Sequence, residues 1–502
     1  MKTRGFLLTL VLAACMLLAI AGCSPASQPA HTAALEPGVH SIEVHLEGGT
    51  GRASVKSPCE LTVAEDGSMT ATIVWSSSHY DQMVIDGVQY LPITTEGGST
   101  CQIPVAALDE DLPVKAETTA MSEPHMIDYT LRFGVGFDEE GPAPDSAASI
   151  TDFHNPDLGN GWTPTGSLEL QYATQYTVDY FDGGYKLACL SDGARYLVVP
   201  EGADVPEGLA SDIVVLQQPL GDIYLVASDT MCRFDALDAI DTITVSGIAK
   251  DNWYIPAAVK AMEDGRIAYG GKYSTPDYDT LLVKKVRLAI ESTMINHTPD
   301  VREKLIELGI PVLTERSSYE SEPLGRTEWV KFYGALLNKE EQAKSLFEAQ
   351  VAAAGKVEGA KTGKTVAFFY INSNGAAVVR KPGDYVTKMI ELAGGEYIFN
   401  SLGEGSSAMS TVTLEMERFY AQAKDADIIV YNGTIDAGVN SIDDLVRKNE
   451  LLANFKAVQD GNVWVTEQNM YQQMMNTGNI IGDFYKVFSG DEDALTYLHK
   501  VA

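Results

Sequence analysis

The segment RSSYESEPLGRTEWVKFYGALLNKEEQAKSLFEAQ, residues 316–350, decides the fold that the sequence predicts for the second half of the chain. A helix-breaking Pro and Gly stand near its start, and apolar residues then recur at helical spacing as far as Gly355. These apolar residues are Trp329, Phe332, Tyr333, Leu336, Leu337, Ala343, Leu346, Phe347 and Val351. The spacing predicts one helix over residues 326–354, and about 29 residues at about 1.5 Å each give roughly 43 Å. Because that length exceeds the diameter of a small domain, the helix is either an ordinary core helix or a strut between two lobes.

Strand and helix patterns alternate on both sides of this helix. Segments such as ITVSGIA, RLAIES and IPVLTE precede it, and KTVAFFYI and DIIVYNG follow it, with helical patterns between them. Alternation of this kind predicts βαβ units and a mostly parallel sheet on each side. The sequence therefore predicts an N-terminal α/β lobe over residues 166–325 and a C-terminal α/β lobe over residues 355–502. The helix over residues 326–354 is expected to span both lobes.

The N-terminus has the features of an exported protein. Two basic residues precede a short apolar run, which ends in small residues directly before Cys23. This pattern is typical of a secretory signal, predicted over residues 1–22, and the apolar run is too short for a convincing membrane span. The residues before Cys23 resemble the lipobox of bacterial lipoproteins, which implies diacylation of Cys23. A Ser- and Pro-rich tether over residues 23–37 would then hold the protein on the extracytoplasmic face of the cell membrane. The alternative is a plain signal peptide.

Residues 38–137 carry strand patterns without a helical period, which predicts a small β-sandwich. Two segments, HYDQMVIDGVQYLP and MSEPHMIDYTLRF, resemble NEAT-like modules of Gram-positive iron-acquisition proteins. Such modules are immunoglobulin-like, and some bind haem through two tyrosines four positions apart. His125 and Tyr129 stand at the matching place here, on one face of a strand. This departure favours a spacer or docking module over a haem site. Residues 138–165 are rich in Pro, Gly, Asp and Ser, which predicts a linker.

Composition restricts the classes of partner and of chemistry. The 502 residues carry a formal net charge of −33, so nucleic acid and anionic membrane surfaces are repelled. The sequence contains no G-x-S-x-G elbow, H-E-x-x-H helix or P-loop, so an extracytoplasmic enzyme lacks support. We predict a protein that is not an enzyme and that holds no resident cofactor.

Four cysteines remain after those of the signal and the anchor: Cys59, Cys101, Cys189 and Cys232. An even number in an exported chain allows two disulfides, 59 with 101 and 189 with 232, each within one predicted domain. Free thiols are the alternative, and the sequence leaves both open.

Candidate ligand contacts follow from strand order alone, because ligands of open α/β sheets bind beyond the carboxyl ends of the strands. The residues that follow the predicted strands are mainly aromatic, basic or amide-bearing. They are Trp253, Tyr254, Lys272, Tyr273, Met294, His297, Arg316, Tyr319, Arg326, Asn372, Asn374, Arg380, Lys381, Tyr385, Met470 and Tyr471. Aromatic faces with a few basic groups suit a large, flat anion, although each aromatic residue could equally be core packing. Arg380 and Lys381 are the main candidates, because their cations can pair with carboxylates and they precede a helix N-terminus. A solvated loop is their alternative.

A bare metal ion is a poor candidate ligand. Zinc and manganese sites draw several His and carboxylate ligands to one ion, whereas the sequence from residue 166 onward contains only His297 and His499. A single axial ligand to a haem iron remains open for His297, Tyr273 or Tyr319. A helix-capping role for His297 is equally open.

Three long segments in the body resemble the substrate-binding proteins of iron-complex ABC importers, which carry ferric siderophores, haem or cobalamin. They are GKYSTPDYDTLLVKKVRLAIESTMINHTPDVREKLIELGIPVL (271–313), SSYESEPLGRTEWVKFYGALLNKEEQA (317–343) and VVRKPGDYVTKMIELAGG (378–395). The resemblance covers residues 166–502. It implies a class III periplasmic-binding-protein fold, in which one long helix joins two lobes and the ligand lies in the cleft between them.

The same resemblance implies delivery of the ligand to a two-subunit permease with a cytoplasmic ATPase. Docking would use one acidic residue on each lobe; the candidates are Asp300, Glu303, Glu415 and Glu417. The expected function is capture of a ferric siderophore or haem, with a cobalamin or corrinoid carrier as the alternative. A surface adhesion or sensor lipoprotein that uses the β module is the rival from another class.

Overall fold

The computed structural model describes residues 38–134 and 150–501 apart from short gaps at 49–54, 57–58, 65, 76, 86, 96–97, 107, 109–110, 120–124, 373–374 and 403–410. The signal, Cys23, the tether and residues 138–149 of the predicted linker lie outside the described residues. The chain divides into two compact units, Met1–Gly136 and Phe137–Ala502. Among the described residues, the helices are all too short or too polar to cross a bilayer.

The described part of the first unit consists of strands. They are β1 (Gly38–Gly48), β2 (Cys59–Val63), β3 (Met69–Val74), β4 (Tyr80–Ile85), β5 (Val88–Tyr90), β6 (Thr100–Val105), β7 (Asp111–Thr118) and β8 (His125–Gly134). Their order is β5-β4-β7-β8-β1-β2-β3-β6. Strand β1 changes partner midway: its first half pairs with β2 and its second half with β8, both antiparallel. Side chains alternate between buried and exposed along β2, so one face of the sheet covers a core around Trp75.

The register of this sheet separates Cys59 from Cys101. Strand β3 lies between their strands, and Ile73 pairs with Cys101 on one side while Thr72 pairs with Glu60 on the other. Two strand spacings give about 9.5 Å, beyond the roughly 7 Å that a disulfide can bridge. Cys189 and Cys232 belong to different core clusters of the second unit. All four cysteines are buried free thiols, so the disulfide interpretation is wrong.

The N-terminal lobe of the second unit contains two sheets instead of the single mostly parallel sheet that we expected. After a short helix, α1 (Ile150–Phe153), come β9 (Gly166–Ser167), β10 (Tyr176–Tyr180), β11 (Lys186–Leu190), β12 (Arg195–Val199) and β13 (Ile213–Gln217), in the order β13-β12-β11-β10-β9. Strands β9 to β12 are antiparallel, and only β12 and β13 are parallel. The loops between β10, β11 and β12 are too short for a crossover helix, which forces the antiparallel arrangement.

The second sheet of this lobe is parallel, as predicted. It contains β14 (Ile223–Leu225), β15 (Ile243–Ser246), β16 (Ala268–Tyr269), β17 (Leu288–Glu291) and β18 (Val312–Thr314), in the order β16-β15-β14-β17-β18. The helices between them are α2 (Met231–Ala236), α3 (Pro256–Glu263), α4 (Tyr278–Val283) and α5 (Pro299–Glu307). Alternation of strand and helix therefore gave the correct topology here.

The C-terminal lobe is built on a mixed sheet. Its strands are β19 (Lys364–Ile371), β20 (Ala377–Arg380), β21 (Gly395–Tyr397), β22 (Thr411–Leu414), β23 (Ile428–Tyr431), β24 (Val463–Thr466) and β25 (Leu498–Lys500). The order is β22-β20-β19-β23-β24-β25, and β21 pairs with β19. The central strands β19, β23 and β24 are parallel. The helices are α8 (Tyr385–Leu392), α9 (Met416–Ala423), α10 (Ile442–Lys448), α11 (Lys456–Gln459) and α12 (Thr477–Ser489).

The long connecting helix is broken, so the prediction of one helix over residues 326–354 is wrong. Two helices, α6 (Pro323–Leu337) and α7 (Glu340–Gly355), replace it. The Lys331 ammonium lies 4.4 Å from the centre of the Phe347 ring, although 16 residues of straight helix would separate them by about 24 Å. The chain therefore turns back, and α7 packs against α6.

Two residues explain the break. Asn338 caps α6 in the left-handed conformation (φ 57°, ψ 41°), a role for which Asn is second to Gly. Two residues of the N-terminal lobe hold the side-chain amide of Asn338 in place. Its Oδ1 accepts a hydrogen bond from the Lys186 ammonium at 2.7 Å, and its Nδ2 donates to Gln218 at 3.0 Å. Gly334 allows the close approach of the helices, since a Cβ there would lie 2.5 Å from Cβ of Ala343.

Candidate functional site

A cavity of about 290 Å³ lies where the two lobes of the second unit meet. Its lining comes from the C-terminal lobe, apart from one tyrosine of the N-terminal lobe: Tyr254, Gly433, Ala437, Val439, Asn440, Val465, Thr466, Glu467, Gln468, Asn469 and His499. The cavity stands beyond the carboxyl ends of β23 and β24, where ligands of open α/β sheets bind.

The strand ends that form the floor of the cavity are held close together. Strands β23 and β24 are buried and parallel, and Tyr431 pairs with Val465. Gly433 follows β23 and lies so near the neighbouring strand that a Cβ would be 2.4 Å from the carbonyl oxygen of Thr466. The Thr434 amide then donates to the Thr466 hydroxyl at 3.2 Å. Only glycine fits at 433, and the two loops leave the sheet side by side.

A histidine and a carboxylate form a pair on the cavity wall. His499 lies on β25, opposite Val465 of β24, and its Nδ1 is 2.7 Å from Oε1 of Glu467. Asn469 lines the same cavity, and its buried Oδ1 has no hydrogen-bond partner among the described residues. Because this oxygen is itself buried and not exposed to the cavity, it is a costly unsatisfied acceptor behind the wall.

Tyr254 reaches across from the N-terminal lobe and lines the cavity. Its hydroxyl donates to Oε1 of Gln468 at 2.6 Å, and its amide donates to Oε1 of Gln472 at 2.9 Å. Nε2 of Gln472 returns a hydrogen bond of 2.8 Å to the carbonyl of Asn252. These three hydrogen bonds, which we call the latch, join the two lobes at an exposed position. They can therefore exchange with water at low cost when the lobes separate.

Four of the predicted ligand residues come together beside the cavity, in one buried network. The Arg326 guanidinium stacks 3.6 Å above the Tyr385 ring. Arg380 donates to the Tyr471 hydroxyl at 2.7 Å and pairs with Asp384 at 3.3 Å. Burial raises the pKa of Tyr385 well above its usual value, so the ring stays neutral between the two cations. The arginines are 6% and 8% exposed, so they contribute to packing between the lobes and do not line the cavity.

This network continues into the N-terminal lobe through residues that the strand-end argument missed. Arg233 is fully buried, and its Nη2 pairs with Asp229 at 3.0 Å and donates to Ser317 Oγ and to the Arg326 carbonyl, both at 2.9 Å. Glu315 lies 3.6 Å from the same guanidinium, and burial raises its pKa to about 8. A charged residue buried on a short helix, such as Arg233, gives no periodic signal that distinguishes it from a surface residue.

Several other predicted contacts pack inside the protein. Trp253 is 4% exposed and donates Nε1 to Ser246 at 3.1 Å, and Met470 is fully buried in the core. Arg316 is also buried, and its guanidinium lies 4.5 Å from the centre of the half-buried Tyr319 ring. The alternative interpretation of core packing fits these residues, none of which lines the cavity.

The remaining candidates stand apart from the cavity or outside the described atoms. Lys272 is exposed, whereas Tyr273, Met294, Asn372 and Lys381 are half-buried. The side chain of His297 and all of Asn374 lie outside the described residues. The four candidate docking carboxylates are all exposed: Asp300, Glu303, Glu415 and Glu417. Exposure is necessary for docking, and their role stays a prediction.

Among the described residues, no group of three or more His, Cys, Asp or Glu side chains is arranged to hold a metal ion. The cavity residues Glu467, Gln468, Asn469 and His499 were absent from the sequence-based candidates. The signal for the first three was present, because they directly follow β24. The predicted strand extended to Gln468, two residues beyond the observed end at Thr466.

Comparison with known proteins agrees with this architecture. Residues 226–470 match the periplasmic binding protein family. With its two α/β lobes, the C-terminal part of the chain has the class III periplasmic-binding-protein fold, although its connecting helix is broken. An uncharacterized lipoprotein of Methanocaldococcus jannaschii is 27% identical over 343 residues, which are 62% of this chain and 80% of the relative.

Solved periplasmic binding proteins are similar to about half of the chain. A haem-binding protein of Vibrio cholerae superposes with a TM-score of 0.43 and 18% identity, covering 52% of this chain and 98% of that protein. A vitamin B12-binding protein of Vibrio cholerae gives a TM-score of 0.39 and 16% identity, covering 54% of this chain and 98% of that protein.

Proposed function

We propose that this chain is the extracytoplasmic substrate-binding lipoprotein of an ABC importer, and that it captures a ferric siderophore or haem between its lobes. The observation that carries the proposal is the cavity beyond β23 and β24, to which Tyr254 of the opposite lobe contributes one wall. The match of residues 226–470 to periplasmic binding proteins supports the same function.

The hydrogen bonds between the lobes at the cavity suit a protein that must bind and release. Three latch hydrogen bonds at an exposed position contribute roughly 0.5–1.5 kcal/mol each, because water replaces each of them on opening. Such a closed state is stable enough to retain a ligand. It is also weak enough for a permease to open at modest cost.

A buried hydrogen-bonded network lies beside the cavity. Asn432 directly precedes the cavity residue Gly433, and its Nδ2 donates to the Tyr471 hydroxyl, which also accepts from Arg380. The Oδ1 atom of Asn432 is buried without a hydrogen-bond partner among the described residues. The Arg380 guanidinium is paired with Asp384, so a contact with a carboxylate of the ligand would require this network to rearrange on binding. We keep Arg380 and Lys381 as proposed contacts of the ligand-bound state.

A cobalamin or corrinoid ligand is the alternative within the same function. The wall of amide and hydroxyl groups formed by Asn440, Thr466, Gln468 and Asn469 would suit the amides of a corrinoid as well as the oxygens of a siderophore. The cavity therefore does not discriminate between these cargoes by hydrogen bonding alone.

For the first unit we propose a NEAT-like spacer or docking module. The pairing of β1 with both β2 and β8 is compatible with a two-sheet sandwich. Tyr129 is buried, and its hydroxyl lies 2.9 Å from that of Tyr80, while His125 is exposed at the strand end. Because Tyr129 is occupied inside the core, a haem site at this pair is disfavoured. A cavity of about 430 Å³ beside β7 and β8 keeps the adhesion or sensor alternative open.

Anchoring and docking complete the proposal. A lipid on Cys23 would hold the protein at the membrane. The exposed carboxylates Asp300, Glu303, Glu415 and Glu417 would meet basic residues of the permease. Charge reversal of one carboxylate on each lobe should lower uptake of the ligand while binding in solution is preserved.

Titration of the purified mature protein tests the proposal. Haemin, ferric siderophores and cobalamin are added separately, and binding is followed by absorbance and by isothermal titration calorimetry. We expect saturation at one equivalent with at least one of the three. Lys381→Ala should weaken that binding, whereas a host-adhesion role would leave the variant unaffected. Failure of every ligand to bind would refute the carrier function.

A further inference from the structure

We propose that the cavity between the lobes receives a protonated amine of the cargo, and that the Glu467 carboxylate is the counter-ion of this amine. The inference rests on the proposed function and narrows its cargo to a ferric siderophore that carries a primary amine on an alkyl arm. A volume of about 290 Å³ is at the lower end for ligand sites. The cavity therefore suits one arm of the cargo better than a whole complex.

The lining of the cavity carries a negative charge and no lysine or arginine. Glu467 is the one carboxylate among the described lining residues, and all the others are neutral or aromatic apart from a histidine. Two lysines that adjoin the lining are engaged elsewhere: Lys500 pairs with Glu492 at 2.5 Å, and Lys448 pairs with Asp436 at 2.7 Å. Because a carboxylate without a neighbouring lysine or arginine attracts cations, this lining favours a cationic group over an anionic one.

One oxygen of Glu467 is available to such a group. Its Oε1 lies 2.7 Å from Nδ1 of His499, whereas its Oε2 has no hydrogen-bond partner among the described residues. The side chain is 42% exposed and lines the cavity, so an incoming group can reach it. A carboxylate only accepts hydrogen bonds and an ammonium only donates them, so the remaining oxygen matches a protonated amine.

The fold holds the backbone of Glu467 in place. Its amide donates to the carbonyl of Tyr497 at 2.9 Å. Its carbonyl accepts from the Thr434 hydroxyl at 3.0 Å and from the Met470 amide at 3.2 Å. The segments next to β23, β24 and β25 therefore all bind this one residue. Because the charged group is positioned in advance, little conformational freedom is lost when a ligand binds to it.

The rest of the lining suits the alkyl chain of such an arm. Val439 and Val465 contribute apolar groups, and Tyr254 adds an aromatic ring from the opposite lobe. Methylenes gain free energy when they pack against apolar side chains, and the face of an aromatic ring attracts an ammonium group. Haem carries carboxylates, which Glu467 would repel, so the same lining disfavours haem.

Two matched probes test the inference on the full mature chain. Ferrioxamine B is a ferric trihydroxamate with one primary amine on an alkyl arm, and its N-acetylated form lacks that charge. Both are titrated by isothermal calorimetry into wild type, Glu467→Gln and Glu396→Gln. Wild type should bind the amine form about tenfold more tightly than the acetylated form, because a charge-assisted hydrogen bond is lost on acetylation. In Glu467→Gln this preference should disappear.

The design contains its own controls. Glu396→Gln removes an exposed carboxylate of the same lobe that does not line the cavity, so it should keep the wild-type preference. The acetylated form should bind Glu467→Gln as tightly as wild type, which shows that the variant is folded. The preference of wild type should decrease as sodium chloride is added, because partly exposed charges are screened by salt.

The outcomes separate the two proposals. If wild type binds the amine form no more tightly than the acetylated form, the counter-ion role is overturned while the carrier function stands. The same conclusion follows if Glu467→Gln keeps the preference, or if Glu396→Gln loses it as well. It also follows if wild type binds haemin or aquocobalamin but neither form of ferrioxamine B. If wild type binds none of these probes, both proposals are overturned.

Discussion

Glu291 provides the strongest prediction about pH, because its carboxyl is buried without a partner. It ends β17, is fully buried, and neither of its oxygens has a hydrogen-bond partner among the described residues. Burial raises its pKa from 4.5 to about 8. The carboxyl is therefore neutral in the folded protein at pH 7, whereas it is ionised in the unfolded chain.

The size and sign of the effect follow from linkage. A group that holds its proton more tightly when folded stabilises the fold below its unfolded pKa, and this contribution is lost as pH rises towards the folded pKa. The pKa difference corresponds to about 5 kcal/mol at about 1.4 kcal/mol per pH unit, lost between pH 4.5 and 8. Glu291→Gln removes the titration and keeps the shape. The free energy of unfolding of wild type should thus fall by about 5 kcal/mol relative to the variant across this range.

Urea denaturation of wild type and Glu291→Gln between pH 4.5 and 8, followed by tryptophan fluorescence, measures the difference. Any constant cost of burying the Gln amide cancels, because only the change with pH is compared. Glu303→Gln, which removes an exposed carboxyl from α5, measures the effect of losing one surface charge. A difference between wild type and Glu291→Gln that stays constant across the pH range would refute the reasoning.

Three further predictions concern the break between helices, the thiols and the latch. Gly334→Ala should destabilise the fold by roughly 1–3 kcal/mol in thermal melts, because the added Cβ would lie 2.5 Å from Cβ of Ala343. Gly482→Ala is the control: because open space surrounds Gly482, this change should be neutral or stabilise the fold by up to about 1 kcal/mol. When the protein is denatured without reductant and alkylated, mass spectrometry should show that both Cys59 and Cys101 are modified. A mass that shows these two cysteines unmodified and joined by a disulfide would contradict the register of β3. Tyr254→Phe removes the hydrogen bond to Gln468, which is worth roughly 0.5–1.5 kcal/mol. The ligand should therefore dissociate about two- to tenfold faster in stopped-flow measurements. An unchanged dissociation rate would contradict the role of the latch in holding the lobes together.

The alternation of strands and helices could be predicted from the sequence because it depends on short-range patterns. The parallel sheets around β14 and β23 follow directly from apolar strands separated by helical periods. The antiparallel sheet of β9 to β12 was missed, although the short loops between its strands already exclude crossover helices.

The broken helix could not be obtained from periodicity, because α6 and α7 both continue the same apolar spacing. The break depends on Asn338, which ordinarily is tolerated in helices and acts as a cap here because Lys186 and Gln218 bind its amide. Those partners are more than 100 residues away in the sequence. Only the tertiary structure reveals that contact.

The candidate site was predicted in part. Following strands to their carboxyl ends identified Tyr254, which lines the cavity; its contact with a ligand stays a prediction. The same rule placed the end of β24 two residues too late and so missed Glu467. It could not identify His499, because that residue lies within the short edge strand β25 and does not follow a strand. Arg380 was expected at the ligand because cations are scarce in an acidic chain. Its burial against Tyr471 depends on packing that the sequence does not reveal.

Blocking the cavity tests the central claim most directly. Ala437 lines the cavity and is exposed, so Ala437→Trp fills the space without disturbing the core, and Ala437→Ser is its small control. Calorimetric titration with the metal complex that the wild type binds should show at least a hundredfold loss of affinity in Ala437→Trp and wild-type affinity in Ala437→Ser. Unchanged affinity in Ala437→Trp would mean that the ligand does not occupy the space between Tyr254 and the ends of β23 and β24.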